Sequence, residues 1–137
     1  MIVIADSSVI VRMVFTADNP RQSEEVGVFL QKAAAVVIPT VALCEAVSVL
    51  EGSYKLSKGY IAKMLRLLLR ISTVIVDADA VLAGVQVIED GGDFEDGVIQ
   101  YTGRQMSEGK AVFASLDSNA VRRFIHRGIA STIPCTI

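Results

Sequence analysis

The chain is predicted to adopt an α/β fold, a three-layer α/β/α sandwich on a central, mostly parallel sheet. Short β-branched runs alternate with longer stretches whose apolar residues recur at helical spacing. Strands that alternate with helices must be joined by crossovers, which makes the sheet parallel and covers both of its faces. At 137 residues the chain fits one domain, spanning 1–137, with a sizeable core.

The elements follow in order. Ile2 to Ala5 is a short apolar run ending at Asp6, read as a buried strand, and Ser7 to Phe15 as a short helix. Asp18-Asn19-Pro20 reads as a turn. From Gln22 to Ala34, Val26, Phe29, Leu30 and Ala33 recur at helical spacing. Val36 to Ile38 is a strand stopped by Pro39, after which Thr40 is expected to cap a helix through Leu50. Ser57 to Arg70 is a long apolar helix and Thr73 to Val76 a β-branched strand. Asp77 to Glu89 reads as a helix, Gly91-Gly92 as a break, and Asp93 as the start of a helix to about Ser107. Val112 to Ser115 is a strand, Ser118 to His126 a helix, and Ala130 to Ile133 a last strand.

Composition narrows the setting. The apolar fraction is 52% and the mean hydropathy +0.50, yet charges or glycines interrupt every apolar run well short of the roughly 20 residues that span a bilayer. No basic segment precedes the first apolar run, so no signal peptide is expected, and the reading is a cytoplasmic protein with apolar surface left for a partner. Fifteen acids against 13 bases give a formal net charge of −2, which does not advertise a nucleic-acid binder. The bases nevertheless gather late, at Arg104, Lys110, Arg122, Arg123 and Arg127. Cys44 and Cys135 lack metal-ligand spacing and make a poor disulfide framework.

The acids carry the chemistry. Asp6 and Asp117 stand where an apolar strand hands over to a helix, a place that suits an N-cap and also lies at the ligand-binding edge of an open parallel sheet. Asp93 and Asp96 have the spacing of a capping box. Glu45 is the only charge between Thr40 and Leu50, with no lysine or arginine three or four residues away. Such surroundings predict a carboxylate that is either half buried or facing a polar cavity, in need of a metal or a distant cation. Carboxylates about 4 Å apart repel by roughly 4 kcal/mol at an effective dielectric near 20, so a convergent set demands protonation or a metal. Hard oxygen donors without His or Cys select Mg²⁺ or Mn²⁺.

These residues resemble a known family. Ile4-Ala5-Asp6-Ser7-Ser8-Val9, Pro39 to Glu45, Asp93-Phe94-Glu95-Asp96-Gly97-Val98-Ile99 and Phe113-Ala114-Ser115-Leu116-Asp117 together look like a PIN domain. In size and motif order the chain is most similar to the VapC-type toxins of toxin–antitoxin pairs. The resemblance implies a Mg²⁺- or Mn²⁺-dependent endoribonuclease with Asp6, Glu45, Asp96 and Asp117 as metal-binding and catalytic acids. Asp93 is an auxiliary acid, Ser8 stands where the family often has Asn, and Ser115 where it usually has Thr. Gly97 replaces a commoner Ala. Asp6→Asn is then expected to relieve repulsion and leave stability unchanged or higher.

The partners implied are an RNA substrate, a cognate antitoxin and a second copy of the chain as a homodimer. Arg12, Arg104, Lys110 and Arg122 are candidates to steer RNA, whereas His126 has no neighbour in sequence to orient it for catalysis. Val26, Phe29 and Leu30, with Ile61, Met64, Leu65 and Leu68, are either core or a groove for a partner helix. Competing readings are an RNA-processing nuclease without an antitoxin and a binding module that kept the fold and lost activity. A phosphotransfer site built on Asp6 as nucleophile lacks the second Asp, since position 8 is Ser.

Overall fold

Seven helices and five strands form among the described residues, 1–134, of the computed structural model, and all five strands run parallel to their partners. Cys135 lies outside the described residues. The architecture is α/β, as the alternation of patterns requires. Contacts divide the chain into two compact units, Met1–Ala78 and the residues from Asp79 onward.

The first unit holds β1 (Ile2–Ile4), α1 (Ser7–Val14), α2 (Pro20–Leu30), β2 (Ala35–Val37), α3 (Thr40–Gly52), α4 (Lys58–Leu68) and β3 (Val74–Ile75). Its strands pair in the order β1-β2-β3, with Ile4 opposite Val37 and Val37 opposite Ile75. The period of two along each strand sends Ala5, Val36 and Ile38 into the core. The alternate residues Ile2, Ile4 and Ile75 are 67%, 74% and 52% exposed, so this face lacks the cover that a parallel sheet was expected to have.

Two helix starts differ from the sequence reading. Asp18-Asn19-Pro20 is not only a turn: Asn19 Oδ1 accepts from the Gln22 amide at 3.1 Å and Pro20 opens α2, because proline suits the first helical position. Thr40 does not cap α3; Pro39 occupies the cap position without a side-chain bond, and Thr40 is the first helical residue. In α4 the cap is Ser57, whose hydroxyl accepts from the Tyr60 amide at 3.2 Å. Ile61, Leu65 and Leu68 are buried, which assigns that stripe to the core and not to a partner groove. Phe29 and Val28 of α2 are about half exposed, at 49% and 50%.

Arg12, a candidate to steer RNA, is buried instead. Its Nη2 donates to Asp18 Oδ2 at 3.0 Å and to the Tyr54 hydroxyl at 2.8 Å, and its guanidinium lies 5.8 Å from the Tyr54 ring centroid. Nη1 is buried and finds no acceptor among the described residues. Burial of this charge is therefore only partly offset. Arg12→Ala is expected to cost about 2 kcal/mol, because packing and two hydrogen bonds go while the exposed side of Asp18 stays wet. Arg12→Met keeps the volume, removes the orphaned donor and should cost less than half as much. Urea midpoints of the two variants check this; equal losses would show that packing is not the main contribution.

The second unit contains α5 (Ala78–Glu89), α6 (Phe94–Met106), β4 (Phe113–Ala114), α7 (Ser118–His126) and β5 (Ser131–Thr132). β4 and β5 pair in parallel, Phe113 opposite Ser131, with α7 as the crossover. The five strands thus form a set of three and a set of two, where one sheet was expected. The core here includes Val81, Val85, Ile88, Phe94, Val98 and Phe124, and the Phe113 ring meets Phe124 edge-on with centroids 4.8 Å apart. α5 ends at Glu89; Gly91 follows with a φ of +88° that favours glycine, and the Gly92 amide closes back on the Val87 carbonyl at 2.8 Å.

α5 and α6 cross closely at two glycines. A Cβ on Gly97 would lie 2.6 Å from Gly84 Cα and 2.7 Å from the Ala83 carbonyl carbon. One on Gly84 would lie 2.5 Å from the Phe94 ring. The glycine after Asp96 is therefore required by backbone contact with α5.

Candidate functional site

Asp6 follows β1 in extended conformation and caps α1. Its Oδ1 accepts from the Val9 amide at 3.1 Å and from the Ser8 hydroxyl at 2.6 Å. The cap reading is realised, and Ser8 contributes a second donor to the same oxygen. The Ser8 hydroxyl, followed by the Val9 amide, holds the Asp6 carboxyl below its ordinary range and outweighs what little desolvation there is. Asp6 is exposed and ionised at neutral pH. An acid whose folded pKa is depressed stabilises the fold above its unfolded pKa and loses that contribution as pH falls. Asp6→Asn is thus expected to remove a small stabilisation, the opposite of the relief anticipated from the sequence.

Glu45 is exposed, which overturns the expectation of a half-buried carboxylate. α3 turns Leu43, Ala46, Val47 and Leu50 inward, and Glu45 shares the outer face with Ser48 and with Val41, itself 77% exposed. Apolar neighbours on a helix do not enclose a residue when several of them also point outward. The sheet register still sets the start of α3 beside the start of α1. Ile4 opposes Val37, and Asp6 and Pro39 each lie two residues further on, on strands roughly 5 Å apart. Glu45 is the sixth residue of α3, about 9 Å along the helix from that edge. α1 packs on α3 in the same unit.

In the second unit the carboxylates of Asp93 and Asp117 both act on Asp96. Asp93 occupies the cap position of α6, but its side chain makes no capping bond, so the capping-box reading does not hold; the Asp96 amide donates to the Asp93 carbonyl at 3.2 Å. Asp117 caps α7, its Oδ1 accepting from the amides of Asn119 at 2.9 Å and Ala120 at 3.3 Å. Ser115 accepts from the Asp117 amide at 3.0 Å and so fixes the backbone that carries this acid. Asp96 is half-buried, and burial pushes its carboxyl above the ordinary range, with repulsion from Asp93 and then Asp117 adding to it. Arg123 pulls in the other direction.

Arg123 is the residue that sequence reasoning missed. It had appeared only as one member of a late basic cluster. No helical spacing links position 123 to position 96, and the one clue was the Gly91-Gly92 break: a Cβ on Gly92 would lie 3.0 Å from Arg123 Nη1.

All donors among the proposed residues are oxygens, mostly carboxylate, which is the chemistry of a hard dication. Burial first, then repulsion from Asp93 and Asp117, lifts Asp96, and the repulsion is what such a cation would relieve. Among the described residues, however, no group of three or more His, Cys, Asp or Glu side chains is arranged to hold a metal ion. Compared with models of known protein families and with curated proteins, the chain matches none.

Proposed function

We propose that this chain is a Mg²⁺- or Mn²⁺-dependent endoribonuclease of PIN-like α/β/α build, the toxin of a toxin–antitoxin pair. The residues assigned to the reaction are Asp6, Glu45, Asp96 and Asp117, with Asp93, Ser8 and Ser115 in support. The observation that carries the reading is Asp96, an acid made reluctant to ionise by burial and by Asp93 and Asp117. Structural acids are usually placed to favour their charged form; this one is placed against it, as acids at functional sites often are.

A bound dication would supply an activated water and charge neutralisation at the scissile phosphate. The protein's own part is positional. Ser8 and the Val9 amide hold Asp6 Oδ1 ionised and in one orientation. Ser115 fixes the backbone at Asp117, and the first amides of α7 hold its Oδ1 in one orientation. Asp96 holds its proton more tightly than an ordinary carboxyl, so ligation at Asp96 would be coupled to proton release.

The partners belong to the same proposal. No helix among the described residues is long and apolar enough to cross a membrane, in keeping with a cytoplasmic site of action. With Ile61, Leu65 and Leu68 in the core, the helix of an antitoxin is assigned to α2, where Val28 and Phe29 are flanked by Arg21, Glu24, Glu25 and Lys32. A homodimer is likewise proposed. A nuclease acting without an antitoxin shares all of this site chemistry and differs only in lacking that partner.

The test is cleavage of a mixed single-stranded RNA pool. Wild type is expected to cut in Mg²⁺ or Mn²⁺ and to stop in EDTA. Asp6→Asn should fall by about 100-fold or more while melting within a few degrees of wild type. No cleavage and no metal-dependent melting shift would leave the inactive binding module as the better reading.

A further inference from the structure

The second unit carries a basic cleft that the acidic residues do not account for. α7 and the turn after α5 form a cleft of ≈ 540 Å³ lined by Asp90, Asn119, Arg122, Arg123, His126 and Arg127. Positions 119, 122, 123, 126 and 127 follow the three-and-four spacing of one helix face, so three guanidiniums and an imidazole are stacked on one side of α7. Like charges at this spacing repel along the helix.

The compensation is uneven. Arg127 is held by Asp90 through both of its ends, Nη2 donating to Oδ1 at 2.8 Å and Nε to Oδ2. Arg122 donates to the neutral amide oxygen of Asn119 at 3.1 Å. Arg123 crosses Gly92 and donates to the Gly91 carbonyl at 3.4 Å. These bonds aim the two guanidiniums at uncharged oxygens; Arg123 also feels the carboxylates of Asp96 and Asp90, so Arg122 is the less compensated of the two. Arginine's planar fork matches two oxygens of a phosphate, which is the ligand class such a pair selects.

We propose that this cleft binds phosphate, and that the phosphates it receives are those of a single RNA strand, gripped by Arg122 and Arg123 beside His126. The assignment to RNA rests on the nuclease reading; the phosphate chemistry does not. A strand is favoured over a small free anion because Arg122, His126 and Arg127 are all exposed, which makes the cleft an open track and not an enclosure.

The experiment measures binding without cleavage. A fluorescent single-stranded RNA of about ten nucleotides is titrated with full-length protein in EDTA, at several salt concentrations, by anisotropy. Arg122→Gln is expected to weaken binding about fivefold at low salt and to reduce the salt slope by about 0.7, one strand phosphate's worth. Arg122→Lys should recover part of the loss. Arg70→Gln, at an exposed position in the first unit, changes the charge equally and should bind as wild type. Equal weakening by Arg122→Gln and Arg70→Gln would reduce the cleft to general charge and overturn the proposal. Saturable binding of inorganic phosphate or a 5′-mononucleotide, sensitive to Arg122→Gln, in a protein that ignores RNA would overturn the RNA assignment. RNA bound through Arg122 but left uncut in Mg²⁺ and Mn²⁺ would sink the nuclease reading alone. RNA cut and bound equally by wild type and Arg122→Gln would sink the cleft alone.

Discussion

Asp96→Asn is expected to melt at a higher temperature than wild type at neutral pH in metal-free buffer, while its RNA cleavage falls by about 100-fold or more. The two effects share a cause. Burial and the carboxylates of Asp93 and Asp117 raise the Asp96 pKa, so the folded protein holds this proton to higher pH than the unfolded chain does. For an acid shifted upward, stability falls as pH rises from the unfolded pKa through the folded one, and above both the penalty is complete. Asparagine has nearly the same shape and never carries the charge. The gain should therefore be largest above the raised pKa of folded Asp96 and should shrink as pH falls through it to below the unfolded value, where wild-type Asp96 is itself protonated. Asp6 and Asp90 behave in the opposite sense. The Ser8 hydroxyl lowers the first and Arg127 the second, so each begins to destabilise the fold only as pH falls into the acid range. Added Mg²⁺ or Mn²⁺ supplies the third readout, since a cation that binds only the folded state raises its melting temperature by mass action. That rise should be present in wild type and much reduced in the variant. A variant less stable than wild type at pH 7 in EDTA would mean that Arg123 dominates the environment of Asp96, and the argument for a cation there would fail.

Gly97→Ala is the second large effect, and its sign runs against helix propensity. Alanine within a helix is favoured over glycine by about 1 kcal/mol. At position 97, however, the new methyl would meet Gly84 Cα at 2.6 Å and the Ala83 carbonyl carbon at 2.7 Å. These are backbone atoms of α5, which cannot rotate away as a side chain can. Overpacking of this kind costs about 1–3 kcal/mol even where side chains can adjust. A net loss of about 2 kcal/mol is expected, a fall of roughly 5–10 °C in Tm. Gly103→Ala on the same helix is the comparison, because a methyl there meets nothing within 4 Å. It should raise Tm by a few degrees, since only the propensity gain applies. Since Gly97 adjoins Asp96, the clash should also displace that acid and lower cleavage. Equal and positive shifts for the two variants would show that α5 and α6 do not cross as closely as described.

Much of the fold was legible because helix ends and apolar periods are local. Ser118 to His126 is α7 as read, and the run from Ile2 supplies β1. Where the reading erred at helix starts, the cause was also local. Asn19 and Pro20 together make a cap and a first helical residue, and Pro39 takes the cap position ahead of Thr40. The strands are only two or three residues long, so their pairing depends on few hydrogen bonds and was harder to anticipate.

The sites were legible in a different measure. Asp6 and Asp117 were marked by the handover from strand to helix, and both cap as well as carry charge. Glu45 misled because nearly every neighbour is apolar, and a uniformly apolar helix does not announce which face is wet. Arg12 misled in reverse, being a base on a short helix that the fold buries against Tyr54 and Asp18.

Sequence alone determined the α/β class, the order of elements and the identity of the acids, since these follow from periods, caps and residue type within about a dozen positions. Only the tertiary structure decided which charges lie close enough to alter one another. Asp96 among Asp93, Asp117 and Arg123 is the clearest case. Electrostatic coupling depends on distance and desolvation, and both are set by how helices cross, here through a glycine contact that no local pattern encodes.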